Sequence, residues 1–295
     1  MMKGTFYAVG AYTLWGLLPV YWKWLQHVPA PQLLSHRIIW SFFSLCVVIT
    51  LARRWGDFRS AALRGRVLRT HLLSATLIGV NWLTYVWAVN AGYIVETSLG
   101  YFINPLLSVA LGVLFFRERL RPWQWAAIGI ALVGVLHLTF IYGSFPWIGL
   151  TLALAFGFYG LIKKAAPLES LYGLTLETGF LLLPALAYLA LSEAAGEGAF
   201  LHAGALSDLL LVGAGPVTAI PLLMFTAATH RIPLSHVGIL QYIAPTLQFL
   251  LGVLAYHEPF PPTRLIGFGI VWIALILFAA DSLVAYRAQP TTTLK

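Results

Sequence analysis

Apolar residues run along this chain in long blocks rather than at the alternating spacing of strands. The blocks fall at about 4–23, 32–52, 72–91, 96–116, 122–141, 146–163, 170–191, 207–228, 234–256 and 263–285. Each is long enough to cross about 30 Å of hydrocarbon, and a lipid-embedded segment must close its own backbone bonds as a helix. The pattern therefore predicts an all-α polytopic membrane protein with ten transmembrane helices. Short joints such as HVPAPQ, RERLRP, HRIPLS and HEPFPP hold proline, glycine or charge, and only RRWGDFRSAALRGRVLRTH and SEAAGEGAFLHAGALSD are long. The first block follows Met1–Gly4, is too long for a cleaved signal peptide and lacks a small-residue cleavage site, so it reads as a retained helix.

The blocks repeat. Sliding the chain by 140 residues lays YFINPLLSVALGVLFFRERL, residues 101–120, over QYIAPTLQFLLGVLAYHEPF, residues 241–260, with eight of twenty positions identical. Pro105 meets Pro245, Glu118 meets Glu258, Pro122 meets Pro262 and Gly129 meets Gly269, while a shift of 141 brings Gly16 over Gly157 and Lys23 over Lys164. Two five-helix units follow, 1–144 and 145–288, with a cytoplasmic tail at 289–295. An odd number of crossings makes the second unit enter from the opposite side. Such inverted repeats characterise secondary transporters, whose substrate site lies near the midplane beside helices broken at corresponding positions.

Charge fixes the orientation. With the N-terminus inside, fifteen of the eighteen Lys and Arg residues fall in inner segments, Lys23 and Arg264 lie outside, and Arg37 sits within the second span. This positive-inside bias predicts ten spans with both termini cytoplasmic. Composition agrees: 60% of residues are hydrophobic, 9% are charged and the mean hydropathy is +0.83. The net charge of +8 does not indicate nucleic acid, because the basic residues separate apolar blocks instead of forming one stripe. The single cysteine, Cys46, allows no intramolecular disulfide.

Polar groups inside the blocks are the candidate chemistry. Arg37 is expensive in hydrocarbon unless it faces a cavity or snorkels, and in a cavity it could anchor an anionic group such as a carboxylate. Glu177, its mate at the 140 shift, reads either as a proton carrier or as a carboxyl bonded to a neighbouring helix. His36, His137 and His236 are proton-relay candidates, His236 foremost, with a neutral hydrogen-bonded state as the plainer expectation. Pro105 and Pro245 are expected to kink their helices and free the carbonyls of Tyr101 and Gln241. Around them Asn81, Trp82, Tyr85, Asn90, Tyr101, Asn104, Gln241, Tyr242, Thr246 and Gln248 offer aromatic faces and amides for an amphipathic organic molecule. Trp22, Trp24, Trp55, Trp123 and Trp147 read as interface belts, Glu118 as a partner of its neighbouring arginines, and Gly112, Gly129, Gly134, Gly252, Gly267 and Gly269 as close-packing sites. No His, Cys or acidic spacing fits a metal, and no cofactor is expected.

GVLFFRERLRPWQWAAIGIALVGV resembles the signature of the EamA family within the drug/metabolite transporter superfamily, and LAYHEPFPPTRLIGFGIVWIALILF resembles its second copy. TLWGLLPVYWKWL, LLSHRIIWS, NWLTYVWAVN and ETSLGYFINPLLSV are similar to the family's RarD subgroup over nearly the whole chain. The resemblance implies ten helices, an inner-membrane location and transport of small organic molecules, often with an arginine at the position of Arg37; it implies no particular substrate. The small four-helix multidrug relatives depend on a glutamate in their first helix, whereas spans one and six here contain no acid, so proton coupling would have to use Glu177, a histidine or Glu96. The expected function is secondary transport, export foremost, by alternating access at a midplane cavity; a non-transporting receptor or assembly factor is the alternative. The expected partners are the bilayer and a small-molecule substrate, and the oligomeric state is open. Without HExxH, GxSxG or a phosphate loop, the chain reads as no enzyme.

Overall fold

Proline, glycine and charge set the ends of the helices. The computed structural model describes residues 2–91, 93–143, 145–256 and 262–287, and these contain helices without strands. In chain order the helices are α1 (Met2–Trp24), α2 (Ala30–Leu51), α3 (Trp55–Ala62), α4 (Gly65–Asn90), α5 (Ile94–Phe116), α6 (Pro122–Tyr142), α7 (Trp147–Ala165), α8 (Ser170–Ala194), α9 (Ala205–Thr229), α10 (Leu234–Leu240), α11 (Ile243–Leu250) and α12 (Pro262–Arg287). Pro122 opens α6, where the Arg121 N–H donates to Gln124 Oε1 at 3.0 Å, and Gly143 at φ 77° ends it. Both features satisfy groups that a helix end leaves orphaned.

Among the described residues nine helical spans are long and apolar enough to cross a membrane. They are α2, α4 to α9, the α10–α11 stretch and α12, and all occupy expected blocks. The helix α1 is not one of the nine, because Tyr7, Tyr12, Trp15, Tyr21, Trp22 and Trp24 dilute its apolarity.

Two joints differ from expectation. The long segment after the second block is not a loop: Trp55 and Phe58 lie on one face of α3, and Phe58 packs edge-on against Tyr172 at 5.6 Å. The following helix then starts at Gly65 rather than near 72. The two prolines also behave differently. The helix α5 runs through Pro105 unbroken, whereas the ninth span breaks at Gln241–Tyr242, before Pro245, and ends in a π-helical turn at Leu251–Ala255.

The helices pack in a reciprocal pattern. The 140-residue shift relates α1 to α7, α2 to α8, α4 to α9, α5 to α10–α11 and α6 to α12. The α1 contacts with α9 and α11 are mirrored by the α7 contacts with α4 and α5, and α2–α9 is mirrored by α8–α4. The pairs α2–α8, α5–α10 and α6–α12 map onto themselves. Tyr242 sits at one such meeting, donating its hydroxyl to the carbonyl of Phe102, its own mate, at 3.0 Å.

Glycines serve these contacts selectively. A Cβ at Gly16 would lie 2.7 Å from Leu247 Cβ, and one at Gly157 would lie 2.7 Å from Leu107 Cδ2; both the glycines and the leucines are mates. Gly134 and Gly267 bring α6 and α12 together, and Gly112 faces Glu118 and Ser235. Gly129 and Gly269 have nothing within 4 Å of a would-be Cβ, which corrects their expected packing role. Glu258 and the tail at 289–295 lie outside the described residues, as do the side chains of Asn90 and Glu96.

Candidate functional site

A central cavity of about 170 Å³ collects most of the predicted site residues. Its walls include Tyr12, Trp15 and Trp22 of α1, Arg37 of α2, Asn81, Trp82 and Tyr85 of α4, and Tyr101 and Asn104 of α5. The second half of the chain adds Phe156 of α7, Thr218 and Leu222 of α9, Gln241 between α10 and α11, and Ala244, Pro245 and Gln248 of α11. Four pairs of mates line it: Trp15 with Phe156, Trp82 with Leu222, Tyr101 with Gln241, and Asn104 with Ala244.

Arg37 lies seven residues into α2 and is partly buried. Its Nε donates to Thr218 Oγ1 at 3.0 Å, and its guanidinium carbon lies 4.8 Å from the Trp22 ring centre and 5.3 Å from that of Trp82. The Tyr85 and Tyr101 rings meet edge-on at 6.0 Å. Asn81 is fixed by donation to the Leu152 carbonyl at 2.9 Å, and Gln248 by donation to the Trp15 carbonyl at 3.2 Å. Asn104 is buried with its Oδ1 lacking a partner among the described residues.

Tyr242, His236, Pro105 and Thr246 lie elsewhere. Tyr242 is fully buried between α5 and α11, where its bond to Phe102 takes it away from the cavity. His236 packs edge-on against Phe278 at 5.3 Å, and Pro105 is not in the cavity wall. Thr246 accepts from Trp272 Nε1 at 3.0 Å. The expected hydrogen bonds of the membrane histidines are missing at His36 Nδ1, His137 Nε2 and His236 Nδ1 among the described residues.

Glu177 and Arg37 do not meet. Glu177 is 1% exposed and accepts at Oε1 from Ser74 Oγ at 2.5 Å and from Lys163 Nζ at 2.9 Å, with His71 Nδ1 also at 2.9 Å; Tyr159 donates to Oε2 at 3.1 Å. This is the neighbour-bonded reading of Glu177, held by α4 and α7 together. Tyr159 in turn stacks on Phe225 at 6.1 Å, and Phe156 and Trp15 continue the aromatic layer to the cavity floor. Aromatics and then a buried ion pair therefore separate the cavity from the end of the bundle where α1 begins.

At that end Glu118 departs from its expected arginine partners. Left-handed Arg117, at φ 53°, turns the chain so that Glu118 accepts from the backbone N–H groups of Leu234 at 2.6 Å and Ser235 at 2.9 Å. Lys164 Nζ stands 3.7 Å from the same carboxylate, donates to the Ile232 carbonyl at 2.8 Å, and lies 5.3 Å from the Phe116 ring centre. Lys163, expected as a loop charge, is instead the buried partner of Glu177, and Trp22, expected in an interface belt, lines the cavity. Sequence held one further signal, the alignment of Lys23 with Lys164: at the opposite end Lys23 Nζ lies 3.5 Å above Tyr256, the mate of Phe116.

Comparison with known proteins gives a consistent assignment. Residues 2–140 match the EamA-like transporter family. Protein RarD of Streptomyces exfoliatus is 47% identical over 280 residues, covering 95% of this chain and 89% of that protein. The uncharacterized transporter YojE of Bacillus subtilis is 47% identical with 97% of each chain covered, and protein RarD of Escherichia coli K12 is 42% identical, covering 97% and 96%. A crystal structure at 20% identity superposes with a TM-score of 0.70 over 95% of this chain and 98% of the other, which shows the shared fold. The chain belongs to the RarD subgroup of the EamA family and is a multi-pass inner-membrane transporter of the drug/metabolite type.

Proposed function

We propose that this protein is a secondary transporter that exports a small amphipathic organic molecule by alternating access between two inverted five-helix repeats, 1–144 and 145–288. Ten spans are counted with α1 included, and both termini face the cytoplasm. The observation that carries the reading is the cavity bounded by four pairs of mated residues, the place where a site shared by two inverted repeats belongs.

Two further features support alternation. The aromatic layer, the Glu177–Lys163 pair and the Glu118 clasp close the end that carries the N-terminus. The cation–ring contacts Lys164–Phe116 and Lys23–Tyr256 join mated residues near opposite ends, each across the two repeats. Matching devices at two ends suit a molecule that opens one while closing the other. Glu177 serves the closure, and the substrate site comprises Arg37, Asn81, Trp82, Tyr85, Tyr101, Asn104 and Gln241.

Reconstitution tests this. Proteoliposomes are assayed for flux of amino acids, aromatic metabolites and chloramphenicol, with and without a pH gradient. Movement of at least one class above protein-free vesicles is expected. Failure of every compound to cross would overturn the transport reading.

A further inference from the structure

We infer that the cavity selects organic anions: molecules with a flat, apolar body and one carboxylate-like group that no ammonium accompanies. The inference rests on the transport reading for its physiological meaning but makes its own claim about binding.

Arg37 is the only charged residue among those described in the cavity wall, and no acid stands there to balance it. Its guanidinium spends one N–H on the neutral hydroxyl of Thr218, and among the described residues the other donors of its fork carry no hydrogen bond. Trp22 and Trp82 lie beside it at 4.8 Å and 5.3 Å and hold it in place, while presenting apolar surface instead of a countercharge. An anion with a two-oxygen head matches this fork in bidentate fashion.

The rest of the wall excludes the opposite charge. The bundle's buried carboxylate, Glu177, is already held by Lys163, His71, Ser74 and Tyr159, outside the cavity. An α-ammonium next to a carboxylate gripped by Arg37 would therefore face a like charge without an acid to receive it. Asn104 Oδ1 supplies one buried acceptor without a protein donor among the described residues, enough for a hydroxyl or amide N–H on the molecule's body. Trp15 and Phe156, 5.8 Å apart, give the flat body an aromatic floor.

A matched phenyl series separates charge from shape: 3-phenylpropionate, 3-phenylpropanol, phenylalanine and phenethylamine, tested by calorimetric binding to the purified protein and by flux in proteoliposomes. The acid is expected to bind roughly tenfold or more tightly than the other three. Arg37→Gln should erase the acid's advantage over the alcohol, and Arg37→Lys, which keeps the charge but loses the fork, should retain part of it. The inference is overturned if phenylalanine or phenethylamine binds as well as the acid, if none of the four binds, or if the preference survives Arg37→Gln in protein that elutes as a folded monodisperse species. Anion-selective binding without flux would count against transport and leave the selectivity standing. Flux of other compounds with no anion preference would do the reverse.

Discussion

Arg37 and Glu177 occupy mated positions and have opposite fates. The arginine lines a cavity and donates to a neutral hydroxyl there, whereas the glutamate is sealed with a lysine, a histidine and two hydroxyls. Removing one member of a buried pair strands the other charge, at a cost of about 3–5 kcal/mol. Lys163→Met and Glu177→Gln should each lower the thermal unfolding midpoint in detergent markedly, and Lys163→Met combined with Glu177→Met should cost less than the two single changes added. Midpoints unchanged by the single substitutions would show that the pair contributes nothing. The sequence could flag both intramembrane charges because each interrupts an apolar block. It could not distinguish Lys163 from Lys164, since both end the same block and only the roughly 100° step between adjacent helical residues sends one inward. Trp22 was hidden for the same reason: a tryptophan near a span end suits an interface and a cavity mouth equally well.

Helices were legible where run length decides and illegible where packing does. Nine spans follow apolar blocks, yet α3 had to be found from its contact with Tyr172, because eight residues that include Asp57 and Arg59 are too short and too polar to give a membrane signal. Prolines 105 and 245 look equivalent, but only the ninth span breaks. There Gly238 lets α10 lie on α5, since a Cβ at that position would come 2.8 Å from the Pro105 carbonyl oxygen; its mate is Ser98. Valine at Gly16 or Gly157 should destabilise the fold by about 1–3 kcal/mol through overpacking against Leu247 or Leu107. Alanine at Gly129, which meets nothing, should be neutral or stabilise by up to about 1 kcal/mol through helix propensity. Thermal unfolding of the three variants checks the contrast, and equal losses at all three would refute it.

For the whole molecule, the duplication was visible in paired prolines and glycines, but its consequence for the two ends was not. The clasp depends on an arginine in the left-handed region and on backbone N–H groups, neither of which a sequence alignment displays. Glu118→Ala leaves two N–H groups without their acceptor, at about 1–3 kcal/mol each if they stay buried. Hydrogen exchange at Leu234 and Ser235 should accelerate by roughly tenfold or more, and unchanged protection would remove Glu118 from the closure. The most direct test of alternating access locks that end. A Cβ at Gly4 lies 2.8 Å from Arg231 Cβ, near enough for a disulfide after a small adjustment. Gly4→Cys with Arg231→Cys, in a Cys46→Ser background, is reconstituted and assayed for flux of whichever panel compound the unlocked protein carries best. Oxidation should stop the flux and dithiothreitol should restore it; an oxidised, crosslinked protein that still transports at the reduced rate would contradict alternation between the two ends.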